Sequence, residues 1–162
     1  MIVIDRLTKA WAVDALADGR VIVLVEPWWQ LRLVYNPGAA FGFAGGYTVV
    51  ISLVAMGVVV AILRMSRRLT NVWWAVALGG ILGGALGNLI DRITQEPGVF
   101  RGFVIDLLEW PGFPVWTLAD AAIVGSVALV FVLSLRNIPH AATPHDATPS
   151  DGSPSDGSGQ QP

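Results

Sequence analysis

The chain has 162 residues, 54% of them hydrophobic and 14% charged, where an ordinary soluble domain carries about 25% charge. With a mean hydropathy of +0.61 and a length that suits one domain, it has too little polar surface for a water-soluble enzyme. A net charge of −2, with Lys9 as the one lysine, argues against nucleic-acid binding, and the absence of cysteine excludes disulfides, thiol catalysis, Cys-ligated metal and a lipid carried on cysteine.

Residues 1–17 read as a helix that carries Asp5, Arg6, Lys9 and Asp14. It lacks the ordered basic start, apolar core and cleavage site of a signal peptide. The segment is too short and too charged to span alone. It is expected to be the outer half of a first membrane helix, about 10–15 residues short of a full span. VIVLV (21–25) and LRLVY (31–35) then read as strands around a turn at Glu26-Pro27. They predict a small sheet over roughly 20–46, followed by a turn at Asn36-Pro37-Gly38.

Three apolar stretches follow, 48–63, 72–90 and 113–135, each near the 20 or so residues that cross a bilayer. Helices are expected over roughly 1–18, 48–65, 71–91 and 115–136, with an outer loop at 92–113. Gly79, Gly83 and Gly87, with Gly80 and Gly84 beside them, predict a flat face for close helix packing. Arg64, Arg67 and Arg68 lie between the first two clear spans with no acid, which predicts a cytoplasmic loop. Segments 18–47 and 91–112 then lie outside, with Trp28, Trp29, Trp110 and Trp116 near the outer interface. Residues 137–162 are expected to be a disordered cytoplasmic tail. From 139 onward they hold five of the ten prolines and no Leu, Ile, Val or aromatic residue. Both histidines, His140 and His145, fall there, and a metal role for them is not the favoured reading.

An ionisable group near a membrane span is a functional hypothesis by default. Asn88, Asp91 and Arg92 in GNLIDR share one helix face. Asp106 sits in an apolar run, Asp120 lies near the start of the last helix, and Asn36 and Gly38 lie in a turn. Taken singly, each has a plain structural reading: an interfacial ion pair, a loop acid facing water, a carboxylate at a helix N-terminus, a simple turn. Together they fall at one membrane face. Two carboxylates in one pocket share a proton, so one can act as base on a water while the other polarises a carbonyl. That is peptide hydrolysis without a covalent intermediate. The competing hydrolytic schemes lack parts. No histidine lies near the spans and HExxH is absent. A Ser–Lys pair would have to join Lys9 to Ser52 or Ser126.

Five segments in order, DRLTK (5–9), NPGAAFGF (36–43), GNLIDR (87–92), RGFVIDLLEW (101–110) and FPVWTLAD (113–120), resemble lipoprotein signal peptidase, the signal peptidase II family of bacterial aspartic peptidases. The resemblance covers most of residues 5–130. It implies an all-α membrane protein, a four-helix transmembrane bundle with an extracytoplasmic β-cradle and a short outer helix. Residues 1–136 would be the membrane-embedded peptidase domain. The implied activity is removal of signal peptides from diacylglyceryl-modified prolipoproteins, just before the lipidated cysteine, at the outer face of the bacterial inner membrane.

The resemblance maps the catalytic pair onto Asp106 and Asp120. It makes Asn36, Gly38, Asn88, Arg92, Thr117, Asp5 and Lys9 the groups that support the pair or substrate. It implies no metal or organic cofactor, contact with membrane lipids, a monomer, no nucleic acid, and inhibition by globomycin-type cyclic peptides. Thr117 departs from the family's usual Asn, keeping a hydroxyl but losing the amide. That departure and the short first helix leave open a degenerate member that binds prolipoprotein without cutting. A small proton-coupled carrier or channel subunit is the other alternative. It would need acids along a path through the membrane, and the inner halves of the spans hold none. The GxGD motif of presenilin-type proteases is absent. The loop 94–105 is expected to close over substrate, with Gly98 and Gly102 easing the motion.

Overall fold

A computed structural model describes residues 1–38 and 47–140. The tail from 141 and the end of the NPGAAFGF segment, 39–43, lie outside the described residues. The described elements run α1 (Ile2–Ala15), β1 (Ile22–Val25), β2 (Trp29–Asn36), α2 (Thr48–Ser66), α3 (Val72–Thr94), β3 (Val104–Glu109) and α4 (Leu118–Leu135). Helices α2, α3 and α4 are long and apolar enough to cross a membrane. Helix α3 packs against α1, α2 and α4, so it is the hub of the helical part.

Helix α1 is turned inside out relative to a soluble helix. Its buried residues are Asp5, Lys9 and Ala12, a stripe at i, i+4 and i+7. Val3, Ile4, Leu7 and Trp11 face outward. Apolar side chains outward and charges inward is the pattern expected where lipid is the solvent and charges must find protein partners. Beyond the charged stripe, Ala12 and Leu16 join Leu31 and Leu107 in an apolar cluster that seats the sheet on the helix.

The sheet is antiparallel in the order β1-β2-β3. Its third strand is a correction to the expected loop at 92–113, because Val104–Glu109 pairs with β2. Four consecutive residues of β3, from Val104 to Leu107, are buried. A strand buried on both faces shows no alternation, so its apolar run is indistinguishable from other buried segments by period alone. The register sets Asp106 opposite Val34 and Val104 opposite Asn36. Segment 95–103 forms turns and irregular chain.

The last helix begins at Leu118, later than expected. Pro114 biases Phe113 toward extended backbone, and Trp116 pairs with Leu108 at the edge of β3. Thr117 then caps the helix. At the far end of the bundle, residues 138–140 are held in place. The Trp74 indole donates to the Ile138 carbonyl at 2.9 Å, and the Thr70 N–H donates to the His140 carbonyl at 3.1 Å.

The glycines of α3 serve two neighbours. A Cβ on Gly80 or Gly84 would strike Ser126 or the Ala119 carbonyl and Ile123 of α4, and one on Gly83 would strike Met1. A Cβ on Gly87 would lie 2.6 Å from the Asp5 carboxylate, whereas Gly79 faces open space.

Candidate active site

Asp106 lies on β3 and is 2% exposed. Its Oδ2 accepts a hydrogen bond from the Asn36 amide at 2.8 Å. The Asn36 Oδ1 in turn accepts from the Gly38 N–H at 2.9 Å. Because that backbone group can only donate, it settles which way the Asn36 amide points. Arg92, from α3, gathers the same turn. Its guanidinium donates to the carbonyls of Pro37, Gly102 and Gly38 at 3.2, 3.0 and 2.6 Å. Among the described residues Arg92 thus holds backbone rather than forming a salt bridge with a carboxylate. Burial pushes the Asp106 carboxyl up to about 7. The Asn36 hydrogen bond opposes the rise, the Asp120 charge adds to it, and Lys9 and Arg92 oppose it.

Asp120 is the third residue of α4 and forms a reciprocal cap with Thr117. The Thr117 N–H donates to Asp120 Oδ2 at 3.1 Å, and the Asp120 N–H donates to Thr117 Oγ1 at 3.1 Å. Such a pair satisfies two otherwise orphaned helix donors. The Ala119 N–H is met by Asp5 Oδ1, from α1, at 3.1 Å. The other Asp120 oxygen, Oδ1, accepts from the Asn88 amide at 2.7 Å.

Lys9 connects the remaining groups. Its ammonium lies 2.9 Å from Asp5 Oδ2 and 2.8 Å from Asp91 Oδ2, and it donates to Asn88 Oδ1 at 3.1 Å. The ammonium thus faces two carboxylates and one amide oxygen. Asp91 also receives Arg6 on its Oδ1. The Ile105 N–H, next to Asp106, donates to Asp91 Oδ2 at 3.3 Å.

All nine residues singled out from the sequence, Asp5, Lys9, Asn36, Gly38, Asn88, Arg92, Asp106, Thr117 and Asp120, therefore meet in one polar cluster. Asn88, Asp91 and Arg92 share a helix face but differ in what they hold. The first two meet Lys9, and Arg92 meets the turn after β2. Two further members join the nine: Asp91, which the sequence singled out beside Asn88 and Arg92 without giving it a supporting role, and Arg6, which it did not single out. Asp91 was visible in GNLIDR, and its burial with no exposed surface requires cationic partners. The Ser52 hydroxyl lies 2.9 Å from the Thr48 carbonyl and 3.0 Å from the Phe100 carbonyl, which share its single O–H.

A family model described as signal peptidase (SPase) II matches residues 1–136. The chain belongs to the signal peptidase II family. It is 47% identical over 135 residues to a protein named lipoprotein signal peptidase from Mycobacterium avium (strain 104), covering 83% of this chain and 74% of that protein. Its identity to the protein of the same name from Rhodococcus jostii (strain RHA1) is 47% over 131 residues, covering 81% of this chain and 66% of the relative. A solved structure described as a bacterial membrane enzyme shares the fold, with a TM-score of 0.75 at 22% identity and 88% of each chain covered.

As a member of that family with three apolar helices of spanning length, the chain is an aspartic peptidase of the membrane. At one end of its sheet lies an aromatic cluster. The Trp29 ring centroid is 4.8 Å from that of Trp110 and 5.9 Å from that of Trp116, and Trp28 lies 6.0 Å from Trp110. The loop expected to act as a lid is anchored at Gly102. A Cβ there would lie 2.6 Å from the Asp91 carbonyl, so that glycine serves close approach to α3 rather than a hinge. Gly98, at φ +116°, faces open space.

Proposed function

We propose that residues 1–136 remove signal peptides from diacylglyceryl-modified prolipoproteins, cutting before the lipidated cysteine, with Asp106 and Asp120 as the catalytic pair. The observation that carries this reading is the environment of Asp106, buried and pushed up to about 7 with the charge of Asp120 nearby. Such a pair holds one proton between two carboxyl groups near neutral pH. The ionised member takes a proton from a water as the water oxygen attacks the scissile carbonyl carbon. The protonated member gives its proton to the carbonyl oxygen. The resulting gem-diol collapses when the proton taken from water passes to the leaving nitrogen and the C–N bond breaks.

In this reading the four helices form a transmembrane bundle with the arginines of 64–68 on the cytoplasmic side of a bacterial inner membrane. The sheet and its tryptophans sit at the outer interface. The diacylglyceryl chains stay in lipid beside the helices, and the peptide bond reaches the pair at the level of the sheet. The protein works as a monomer without metal or organic cofactor, and globomycin-type cyclic peptides compete for the site.

Cleavage of a diacylglyceryl-modified lipobox peptide in detergent tests this. Activity is expected from the chain as it stands, with loss in both Asp106→Asn and Asp120→Asn. Thr117→Ser is expected to keep the cap and most activity. Thr117→Val loses one cap hydrogen bond, about 1 kcal/mol, and roughly tenfold in rate if that loss falls on the transition state. Full activity in either Asn variant would overturn the assignment of the pair.

A further inference from the structure

Three cations and four carboxylates crowd around the proposed pair: Arg6, Lys9 and Arg92 against Asp5, Asp91, Asp106 and Asp120. Charges removed from water are costly unless balanced. The cluster is neutral when one carboxylate holds a proton, and the hydrogen bonds identify which one. Among the described residues, both groups bonded to the Asp120 carboxylate are donors: the Asn88 amide on Oδ1 and the Thr117 N–H on Oδ2. The N-terminus of α4 adds its own positive end. The Asn88 amide cannot be reversed, because its oxygen accepts from Lys9, which has only donors. Lys9 is itself fixed by Asp5 and Asp91 and is 1% exposed. Asp106 has one donor, Asn36, on Oδ2. Its Oδ1 is buried with no hydrogen-bond partner among the described residues; Asp5 Oδ2 also lacks one, but the Lys9 ammonium lies 2.9 Å from it and holds that carboxylate in its charged form.

We propose that Lys9 is a positioning residue which, through Asn88, makes Asp120 the anionic member of the pair and the base toward water, leaving Asp106 as the acid that protonates the scissile carbonyl. The inference rests on the peptidase reading above and assigns the two roles within it. Asp120 takes the water proton and later gives it to the leaving nitrogen. Asp106 gives its proton to the carbonyl oxygen and recovers one as the gem-diol collapses, so the resting state is restored. The charged groups around the pair are Asp5, Lys9 and, through its ion pair with Asp91, Arg6 from α1, Asp91 and Arg92 from α3, and the two carboxyl groups on each other.

The pH profile of kcat/KM on the lipobox peptide separates the two assignments. Its acid limb reports the base, and its alkaline limb reports the acid. Asn88→Ala removes a donor from Asp120, so the acid limb is expected to move to higher pH. The shift should be about one pH unit, the scale of one hydrogen bond to a charged group. Lys9→Gln should move the same limb in the same direction, and, because the Lys9 charge also opposes the rise at Asp106, the alkaline limb upward as well. Asn36→Ala removes the donor on Asp106 and should move the alkaline limb upward instead. The reverse pattern, with Asn36→Ala moving the acid limb and Asn88→Ala the alkaline one, would overturn the assignment. Unmoved acid limbs in Asn88→Ala and Lys9→Gln would overturn the relay.

If the variants fold but do not turn over, infrared titration of the buried protonated carboxyl replaces the rate. Its band should persist to higher pH in Asn36→Ala and not in Asn88→Ala, and the reverse again rejects the assignment. Absence of cleavage by the parent chain and by every variant would count against the peptidase reading itself, and the infrared titration would still test the proton's location.

Discussion

Asp106 is an acid held almost entirely out of water, and this sets how folding responds to pH. Its folded value of about 7 lies above the unfolded value near 4. Below pH 4 both states are protonated, and its contribution to stability is fully present. Between about 4 and 7 the unfolded chain releases the proton while the folded protein keeps it, so stability falls as pH rises. Above about 7 the loss is complete. Asp106→Asn removes the titration. It is expected to be more stable than the parent at pH 8, by on the order of a few kcal/mol, and to converge with it near pH 4. Thermal unfolding in detergent at both pH values checks this, and a parent that is equally stable at both would contradict it. Legibility at this scale was uneven. The motif segments exposed Asp106 and Asp120 as a pair, but not that Arg92 would hold carbonyls, nor that Asp91 would be the second acid on Lys9. Those choices depend on which backbone groups lie within 3 Å or so, a matter of tertiary approach.

The helices of the bundle are joined by their small residues. Gly84 is the tightest contact with backbone on α4, since a Cβ there would lie 2.5 Å from the Ala119 carbonyl, one residue from Asp120. A Cβ on Gly80 would overlap mainly the Ser126 hydroxyl, which can rotate away. Gly79 meets nothing within 4 Å. The expected order of damage is therefore Gly84→Ala, then Gly80→Ala, with Gly79→Ala close to neutral. Overpacking costs about 1–3 kcal/mol, and at Gly84 it also displaces the start of α4 and with it Asp120. Unfolding temperatures and cleavage rates of the three variants should follow that order. Equal behaviour of Gly79→Ala and Gly84→Ala would show that the helices are not packed this closely. The four-residue glycine repeat predicted a packing face, but not that it divides between α1 and α4. The sequence period is common to both neighbours, and only the crossing of the helices separates them.

Across the whole molecule, polarity is arranged along one axis. The sheet, the polar cluster and Trp28, Trp29, Trp110 and Trp116 lie at one end, with Arg64, Arg67, Arg68 and the Trp74–Ile138 clasp at the other. Cysteine is absent, so a single introduced cysteine can be labelled without background. Val23→Cys, on exposed β1, is expected to react with an impermeant thiol reagent added outside intact spheroplasts. Ser66→Cys is expected to react only after permeabilisation. The opposite pattern would reverse the proposed orientation and move the candidate site to the wrong side for exported lipoproteins.

Composition and hydropathy alone determined that this is a membrane protein with three full-length apolar helices, because lipid imposes a length and an apolarity that can be read residue by residue. Five ordered segments were enough to mark its family, and they singled out the two aspartates proposed as the pair. Tertiary structure decided the rest. It made Val104–Glu109 a strand, turned the charges of α1 inward onto Asn88 and Asp91, and used Asp5 and Thr117 to finish the N-terminus of α4. The physical reason is common to all three. Buried polar groups need partners, and which partner is within reach is set by the approach of distant segments rather than by local pattern.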